Sequence, residues 1–439
     1  MSDSHTKLDI SGALAAAACA LLGGSGQAGL LDYDPGGDKW DVETAYLYYA
    51  ESDGRVSATA PAIQLTHNVD TDETQVFRLT VDSLTGASPT GAVPSNDVQT
   101  FTGPSGSAYN IEGSQAPIDT SFQDTRTSFN ASWAFPFGVK NSITLGGNYS
   151  TEFDYVSFGF NTAYSRYYND KNTTLTAGIA MADDTISPVG GTPLAFDSIP
   201  TPGVRVIDST SALTGDRSKN VTDLLFGLTQ VIDRDSVLQF NVGLSHSDGY
   251  HNDPYKIISV VDANGDPAIA NEARNLSLAL YENRPDTRTR QSLYAQYKRN
   301  FSGSVLNTSY RYMQDSWEVR SHTFDVSYRM PFGSTSWIQP RLRFYTQSAA
   351  EFYTPFFREG QQPTTADTSL HASSDYRLGD LDATTVGLTY GHDGKRPWQV
   401  TLEYYQQNPR ESSEKFGALE TLTLNPDLSA VVFRVNLDL

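Results

Sequence analysis

The sequence predicts an all-β protein: a transmembrane, antiparallel, up-and-down β-barrel of about 16 strands (range 14–18), with long extracellular loops and short periplasmic turns. Two observations predict this fold. Apolar and polar residues alternate along repeated segments of about ten residues, and the long gaps between segments all follow odd-numbered ones. Because side chains alternate between the two faces of a strand, each segment has one apolar and one polar face. A barrel with lipid outside and water inside requires such strands.

The bulk composition excludes several other classes of protein. The chain has 439 residues, a net charge of −20 and 11% aromatic residues. Disordered chains are poor in aromatic residues, so this chain is expected to fold. No run of about 18 or more apolar residues follows residue 28, which argues against helical membrane spans. The acidic balance and the absence of clustered Lys and Arg argue against nucleic acid as a partner.

The N-terminal stretch has the pattern of a secretory signal. An apolar run at 13–22 is followed by the small-x-small sequence GQA, which ends at Ala28. A lipobox around Cys19 and a cytosolic N-terminal helix are the alternatives. Cleavage after Ala28 would remove the single cysteine and exclude an internal disulfide. The predicted division is a signal peptide at 1–28, a short periplasmic segment at 29–39 and the barrel at 40–439.

The alternating segments follow one another along the rest of the chain. In SVLQFNVGLSH, Leu238, Phe240 and Val242 lie on one face, while Gln239 and Asn241 lie on the other. The segments begin near residues 40, 56, 73, 125, 141, 155, 173, 220, 236, 287, 304, 321, 337, 381, 398 and 428.

The lengths of the connections sort by parity. Short ones such as NDKN, DRDS and FSGS follow even-numbered segments. A soluble β-sandwich or propeller, the alternative fold, has no reason to sort its loops in this way. In an outer-membrane barrel the termini and short turns are periplasmic and the long loops are extracellular. The long connections cover about 85–124, 183–219, 247–286, 347–380 and 407–427.

The chain ends on the apolar alternation VVFRVNLDL. In hydrocarbon every backbone group needs an internal partner, so the last strand is expected to pair with the first and to turn its apolar face to lipid. Large side chains near the short turns fit a girdle at the membrane interface. They are Trp133, Phe135, Phe137, Tyr328, Met330, Phe332, Trp337 and Trp398.

Several stretches resemble a family of Gram-negative outer-membrane barrels catalogued only as a domain of unknown function. They are YLYY (46–49) with ESDGR (51–55), VDSLTGASPTGA (81–92), SDGYHNDPYK (247–256) and YENRPDTRTR (281–290). The resemblance implies a barrel in the outer membrane of a Gram-negative bacterium. It also implies genes nearby for a flavin transferase, a thioredoxin-like protein and a small lipoprotein, and hence a redox-linked envelope system. It implies no catalytic residue.

The polar faces of the strands carry many charged side chains. If they line the lumen, it leans basic although the whole chain is acidic. One interpretation is a network of ion pairs that stiffens the wall or binds a plug; the other is a channel that favours anions. The predicted lumen residues are Arg78, Arg126, Arg288, Arg290, Arg311, Arg329, Arg341, Arg343, Arg434, Asp325 and Glu403.

The densest polar stretch is SHSDGYHNDPYK (245–256). Its serines, histidines and aspartates suggest a hydrolase, but Ser245 and His246 are strand neighbours on opposite faces and cannot form a catalytic pair. No G-x-S-x-G elbow occurs. A loop that folds over the barrel mouth is favoured over ligand binding or catalysis. The residues of this mouth-loop motif are Asp248, His251, Asp253 and Tyr255.

A possible metal site follows at 262–266. Oxygen ligands at Asp262, Asn264 and Asp266 resemble part of a calcium loop, but the Glu that closes an EF-hand is missing. An Asn-Gly turn explains the stretch equally well. The histidines show no metal-ligand spacing, and no C-x-x-C-H motif occurs, so no cofactor other than calcium is suggested.

The sequence favours a pore or conduit for a small solute or an exported product, with outer-membrane lipid as its surroundings. The first alternative is a sheath or docking barrel for a partner lipoprotein or redox carrier. The second is an outer-membrane hydrolase; overall, we expect a protein that is not an enzyme. A barrel of about sixteen strands is wide enough to hold water unless something fills it.

Overall fold

The computed structural model describes residues 39–96, 98–102, 108–113, 117–188, 191–199, 212–213, 215–271, 276–410 and 415–439. The predicted signal peptide at 1–28, with Cys19, and the segment 29–38 lie outside the described residues.

Sixteen antiparallel strands form one closed barrel, in which the last strand pairs with the first. Every other barrel strand pairs with its neighbours in sequence, as the up-and-down prediction requires. The barrel strands are β1 (Lys39–Glu51), β2 (Val56–Asp70), β3 (Glu73–Pro89), β4 (Ile118–Pro136), β5 (Asn141–Thr151), β6 (Tyr155–Tyr168), β7 (Thr173–Ile186), β8 (Arg217–Asp233), β9 (Ser236–Gly249), β10 (Thr287–Phe301), β11 (Ser304–Asp315), β12 (Arg320–Phe332), β13 (Ser336–Gln347), β14 (Leu381–His392), β15 (Trp398–Pro409) and β16 (Leu428–Asp438).

The outer face of the barrel is apolar and the inner face polar. On β9, Phe240 and Val242 are 46% and 41% exposed, whereas the intervening inward positions, such as Ser245, are buried or half-buried. Because no protein covers the outer side chains, their partner is hydrocarbon. A closed barrel with such a face is an outer-membrane β-barrel of the Gram-negative type.

The aromatic girdle is confirmed for most of its members and wrong for one. Phe137, Phe332 and Trp398 are exposed near the short turns. Trp337 is only 5% exposed and lies on the inner face, where its Nε1 donates to Asp393 over 2.9 Å. Its position in β13 has the parity of the inward-facing Arg341, so alternation alone places it inside.

The two ends of the barrel differ as predicted. At one end every connection is a short turn of two to five residues. The other end carries the long connections 90–117, 187–216, 250–286, 348–380 and 410–427, together with three short turns at 52–55, 152–154 and 316–319. The described parts of these five long connections are called the cap. They contain nine short strands: Gln99–Thr102, Ala108–Ile111, Thr192–Pro193, Ala212–Leu213, Ile257–Val261, Ile269–Asn271, Leu276–Ser277, Ala279–Tyr281 and Phe356–Arg358.

Helix is confined to short 3₁₀ turns in the described residues. They are Ser52–Gly54, Tyr376–Leu378 and Gly417–Thr421. None of the described helices has the length and apolarity needed to cross a membrane.

The cap has its own hydrophobic core. Its central strand, Ile257–Val261, is buried along its whole length and lies between Ala279–Tyr281 and Phe356–Arg358. Side chains of this strand enter three separate apolar clusters. Ile258 packs with Phe196 and Ala372, and Val261 packs with Val93 and Leu419. Segments from all five long connections therefore share one core.

The cap is fastened to the strand ends around the mouth of the barrel. The Lys256 ammonium donates to the carbonyl oxygen of Pro89 at the end of β3. The Tyr255 hydroxyl donates to Asp154 between β5 and β6 over 2.7 Å. The Gln347 amide at the end of β13 donates to the Gly379 carbonyl over 2.7 Å. Contacts at such separate strands place the cap across the extracellular opening.

Candidate functional site in the capped lumen

The predicted lumen residues occupy the inward positions of their strands. Phe324 and Phe344 are 44% and 47% exposed on the outer face, so Asp325 and Arg343, their neighbours in sequence, point inward. The same alternation applies to the other predicted arginines and to Glu403. Whether these side chains line a path for solutes stays a prediction.

One arginine of the wall joins three strands. The Arg341 guanidinium lies 2.6 Å from Asp325 on β12 and 2.9 Å from Glu403 on β15. To reach Glu403 it passes over Gly387 on β14, where an added Cβ would lie 2.9 Å from Glu403 Cγ. Glycine therefore leaves the room that this contact needs. The contact stiffens the wall, and its two carboxylates compensate part of the predicted positive charge.

Three more of the predicted arginines have acidic partners. These separate pairs join β3 to β4, β10 to β11 and β12 to a short turn. They are Arg126 with Asp82 at 2.7 Å, Arg288 with Asp315 at 2.5 Å and Arg329 with Asp393 at 2.5 Å.

Four of the predicted arginines remain without an ion pair or hydrogen bond within the described part of the chain: Arg78, Arg311, Arg343 and Arg434. Arg434 lies within electrostatic range of Arg78 and Arg341 as well as of Glu403. Some arginines of the wall thus form ion pairs, and others form none among the described residues.

The wall formed by β5 and β6 is neutral on its inward face. Inward positions on β5 and β6 carry no charged residue. Here Asn148 lies over Gly159 and Asn161 over Gly146, in side chain-to-glycine pairs across the strands. The inward face is therefore neutral on β5 and β6, between strands that carry inward charged residues.

A buried ion network joins two cap segments. The Arg284 guanidinium lies 2.7 Å from Glu282 and 2.9 Å from Asp375, which belongs to the next long loop. Arg377 continues the network to Asp375 at 2.5 Å and to Asp253 at 3.1 Å. Glu282 also accepts from the backbone N–H of Asp253 over 2.5 Å. These five residues are called the cap latch.

The pKa values of two acidic residues in the cap latch, Glu282 and Asp375, shift in opposite directions. Burial raises the pKa of Glu282 to about 7, and the nearby Arg284 only partly offsets this effect. Burial also acts on Asp375, but Arg377, Lys256 and Arg284 outweigh it and hold the pKa of that carboxyl well below its ordinary range. Near neutral pH, Glu282 is therefore the carboxyl in the cap latch that gains or loses a proton.

The mouth-loop motif is divided between strand and cap. Asp248 belongs to β9, where it is exposed next to the inward Ser247, so the expectation that it begins the loop is wrong. The strand continues because Asp248 still pairs with Asn220 and Thr287. The other motif residues fold over the mouth. Asp253 joins the cap latch, and Tyr255 binds Asp154.

His251 holds the start of this loop in place. Its Nδ1 lies 2.9 Å from the carbonyl oxygen of Gly249, so this nitrogen carries the proton and Nε2 accepts from Ser247 Oγ over 2.7 Å. Burial lowers the pKa of His251 to about 4. Ser247 is fully buried, and the third group is a carbonyl rather than a carboxylate. The pair thus lacks both the substrate access and the acidic partner of a hydrolase.

The proposed calcium ligands form a turn. Asp262 Oδ1 accepts from the backbone N–H groups of Asn264 and Asp266 over 2.8 and 2.9 Å. This is the turn that the Asn-Gly interpretation expects, while calcium binding here stays a prediction. A different acidic group, which the sequence did not suggest, brings ligand atoms of Asp124, Glu152 and Asp154 within 4.8 Å of one another. No spacing in the sequence predicts this acidic group, because it is the strand register that brings Asp124 to the turn between β5 and β6.

The cap latch was also missed, although its residues lie in stretches singled out from the sequence. Glu282 and Arg284 belong to YENRPDTRTR, and Asp253 belongs to SDGYHNDPYK. The signal was present as two dense polar stretches. Their meeting could not be inferred, because it depends on how the cap folds.

Comparisons with known proteins give a family and a general architecture. A family model described as "Protein of unknown function (DUF3570)" matches residues 11–439. No curated protein matches the chain.

Solved outer-membrane proteins are similar to the chain at low identity. A mutant of the ferric enterobactin receptor from Pseudomonas aeruginosa is 7% identical with a TM-score of 0.42, over 85% of this chain and 54% of that one. A bacterial polysaccharide outer membrane secretin is 6% identical with a TM-score of 0.42, over 91% and 98%. CdiB from Acinetobacter baumannii is 11% identical with a TM-score of 0.36, over 91% and 60%. The chain thus spans about half the length of the receptor. TM-scores this low carry no functional argument.

Proposed function

The chain belongs to the family described as Protein of unknown function (DUF3570), and from that premise we propose that it forms a gated conduit across the outer membrane. The cap is the gate, and the lumen below it is the path. The transported species is a small solute or an exported product that carries negative charge.

The single observation that carries this proposal is the cap. A barrel of about sixteen strands encloses enough space for water, so a structure across its mouth controls what passes. Loops that served only as connections would not need a shared hydrophobic core or a buried ion network. The cap has both, and it rests on strand ends around the mouth. These features support a closed state that can be opened.

The charge of the wall supports the preference for anions. Arg78, Arg311, Arg343 and Arg434 lack a partner among the described residues, and fixed positive charge in a narrow lumen lowers the free energy of an entering anion. We expect an anion to pass along the strands that carry these arginines.

The gate is tested by breaking the cap latch. Arg284→Ala leaves the carboxylates of Glu282 and Asp375 buried without their guanidinium, which typically destabilises a structure by about 3–5 kcal/mol. The purified wild type should conduct little in a planar bilayer. Arg284→Ala should pass a larger current and should open more frequently.

Arg410→Ala is the matched control. Arg410 pairs with Asp380 at the same end of the barrel but is half exposed, so its loss should change stability by no more than about 1 kcal/mol. Its conductance should match that of the wild type. Equal current through the wild type and Arg284→Ala, with both folded as judged by heat-modifiable mobility, would contradict the gate.

A further inference from the structure

An exposed arginine lies on the outer face of the barrel near its periplasmic end. Arg166 has the same parity on β6 as Phe158 and Phe160, which are 63% and 52% exposed, so its side chain points away from the lumen. It lies two residues before the end of the strand, next to a short periplasmic turn. A charge on the outer face is costly in the middle of the membrane and costs little near its edge. Arg166 therefore lies at the level of the periplasmic lipid headgroups.

Two tyrosines flank Arg166 on this face. Its guanidinium carbon lies 5.3 Å from the centre of the Tyr168 ring. Tyr164, two positions away on the other side, is exposed and donates its hydroxyl to Asn141 Oδ1 over 2.6 Å. Aromatic residues at the membrane interface keep their rings beside the lipid and their polar atoms among the headgroups. Arg166 thus lies between two interfacial rings.

A second cation lies beside Arg166. Asn141, the first residue of β5, is the register partner of Arg166, and Lys140 directly precedes it. The carbonyl oxygen of Lys140 accepts from the backbone N–H of Tyr167 over 2.8 Å, which holds this turn against the end of β6. Both cationic side chains are exposed. Neither forms an ion pair with a residue that the structure describes.

The charges around this point leave an excess of positive charge. The turn after β6 carries Asp170 and Lys171, and Lys171 pairs with Asp72 at 2.9 Å. Arg166 and Lys140 are added to these three residues. The three cations therefore outnumber the two carboxylates, and the two cations nearest the lipid are the ones without an ion pair among the described residues.

The same aromatic arrangement occurs a second time with a different charge. On β10 the exposed Arg299 lies over the Phe301 ring at 5.3 Å, and its Nη1 donates to the Tyr297 hydroxyl over 3.3 Å. Here Asp233 and Asp235, at the end of β8 and in the turn after it, lie within electrostatic range of the guanidinium. Arg299 thus has acidic neighbours that offset its charge, whereas Arg166 has a second cation beside it.

A phosphate is the anion that the membrane offers at this level. A guanidinium binds phosphate oxygens through two parallel hydrogen bonds, and an ammonium binds them as a point charge. The exposed Phe160 and Leu175 lie toward the middle of the membrane and beside Arg166, where they can contact acyl chains. Because the patch has an excess of positive charge, it suits a headgroup with net negative charge better than a zwitterionic one.

We propose that Arg166 and Lys140, with Tyr164 and Tyr168, form a binding site for an anionic glycerophospholipid of the periplasmic leaflet. The lipid phosphate accepts from the Arg166 guanidinium, and the Lys140 ammonium compensates its negative charge. The tyrosine rings contact the glycerol region and the first part of the acyl chains. The site lies outside the barrel, so it does not depend on the proposed conduit.

Binding is measured with the full-length barrel in detergent by native mass spectrometry, which identifies bound lipids by their mass. The probes are dioleoyl phosphatidylglycerol and dioleoyl phosphatidylethanolamine, which share their acyl chains and differ in headgroup charge. For the first lipid bound, the wild type should favour phosphatidylglycerol at least about fivefold, the factor typical of one basic residue at an anionic lipid surface. Lipopolysaccharide at the same concentration should not displace it.

The variant Arg166→Gln with Lys140→Gln should bind the two lipids alike. The control Arg299→Gln changes the arginine with similar aromatic neighbours and acidic surroundings, and it should keep the preference of the wild type. Heat-modifiable mobility checks that each variant is folded. If the double variant does not fold, each single substitution should still lose part of the preference.

Three results would overturn the proposal. The first is equal affinity of the wild type for both lipids, and the second is an unchanged preference in the Arg166 and Lys140 variants. The third is an equal loss of preference in Arg299→Gln, because any exposed cation would then have the same effect. Displacement by lipopolysaccharide would overturn the assignment to the periplasmic leaflet.

Discussion

Glu282 and Asp375 accept from the same arginine, yet their pKa values shift in opposite directions. The difference lies in the number of cations around each carboxyl. Asp375 has Arg377, Lys256 and Arg284 close by, whereas Glu282 is opposed by Asp253 and Asp375 and is favoured mainly by Arg284. Burial therefore determines the direction of the pKa shift of Glu282, whereas the nearby cations determine that of Asp375. One proton in the cap latch is thus exchangeable near neutral pH.

This proton makes the stability of the cap depend on pH. A carboxyl whose pKa is raised in the closed cap binds its proton more tightly there, so its contribution is fully present below about 4.5 and is lost as the pH rises through about 7. The shift corresponds to at most about 3 kcal/mol. Glu282→Gln should remove this loss, and cap protection measured by hydrogen exchange should then fall less between pH 5 and pH 8 than in the wild type.

The pKa of His251 shifts in the opposite direction to that of Glu282, so His251 supplies the control. Its lowered pKa means that its contribution is present above about 6.5 and is lost as the pH falls through about 4. His251→Gln should therefore flatten the acid side of the profile only. A Glu282→Gln profile parallel to that of the wild type above pH 6.5 would contradict the role of Glu282.

The unpaired arginines should set ionic preference. In the Arg284→Ala background, changing Arg78, Arg311, Arg343 and Arg434 together to Gln should move the reversal potential toward cation preference, because the fixed positive charge is removed. The shift should be smaller at 1 M than at 0.1 M salt, since the Debye length falls from about 10 Å to about 3 Å.

The matched control replaces arginines whose charge is already compensated. Changing both members of two pairs to amides, Arg126→Gln with Asp82→Asn and Arg329→Gln with Asp393→Asn, removes no net charge, so the reversal potential should stay where it is. A shift as large as that of the first set would contradict the assignment of the preference to the unpaired arginines.

The barrel strands show how closely the alternation of apolar and polar residues predicts where a strand begins. Predicted and observed starts agree within one residue for most strands, because each strand turns a continuous apolar face to lipid. The start of β4 differs most, at Ile118 rather than near 125. Its first residues are polar and extend past the apolar band, where β3 pairs with them through an irregular register. Pairing, not hydrophobicity, determines that end of the strand.

One strand allows its two faces to be compared directly. Leu342→Arg should cost roughly 2–4 kcal/mol if Leu342 lies near the middle of the membrane, because it brings charge into hydrocarbon. Arg343→Leu should be far milder, since Arg343 has no ion pair among the described residues. Refolding into lipid with a denaturant series measures both costs; similar values would mean that the facing of β13 is wrong.

The molecule as a whole divides into a part that the sequence predicts and a part that it does not. The closed barrel and the end that carries the long loops follow from period and parity. The cap latch does not, because Asp253 and Glu282 lie far apart on one long loop, Asp375 lies on the next, and the three meet only through tertiary packing. The cap latch gives no local pattern in the sequence.

The core of the cap also has a consequence for biogenesis. One of its apolar clusters combines residues as far apart as Val93 and Leu424, so the complete core of the cap cannot form until nearly the whole chain is present. Contacts of such long sequence separation form late in folding. Until then the loops remain accessible to extracellular proteases. Cap closure therefore marks an inserted, completed barrel, and a truncated or unclosed chain would keep its loops open to degradation.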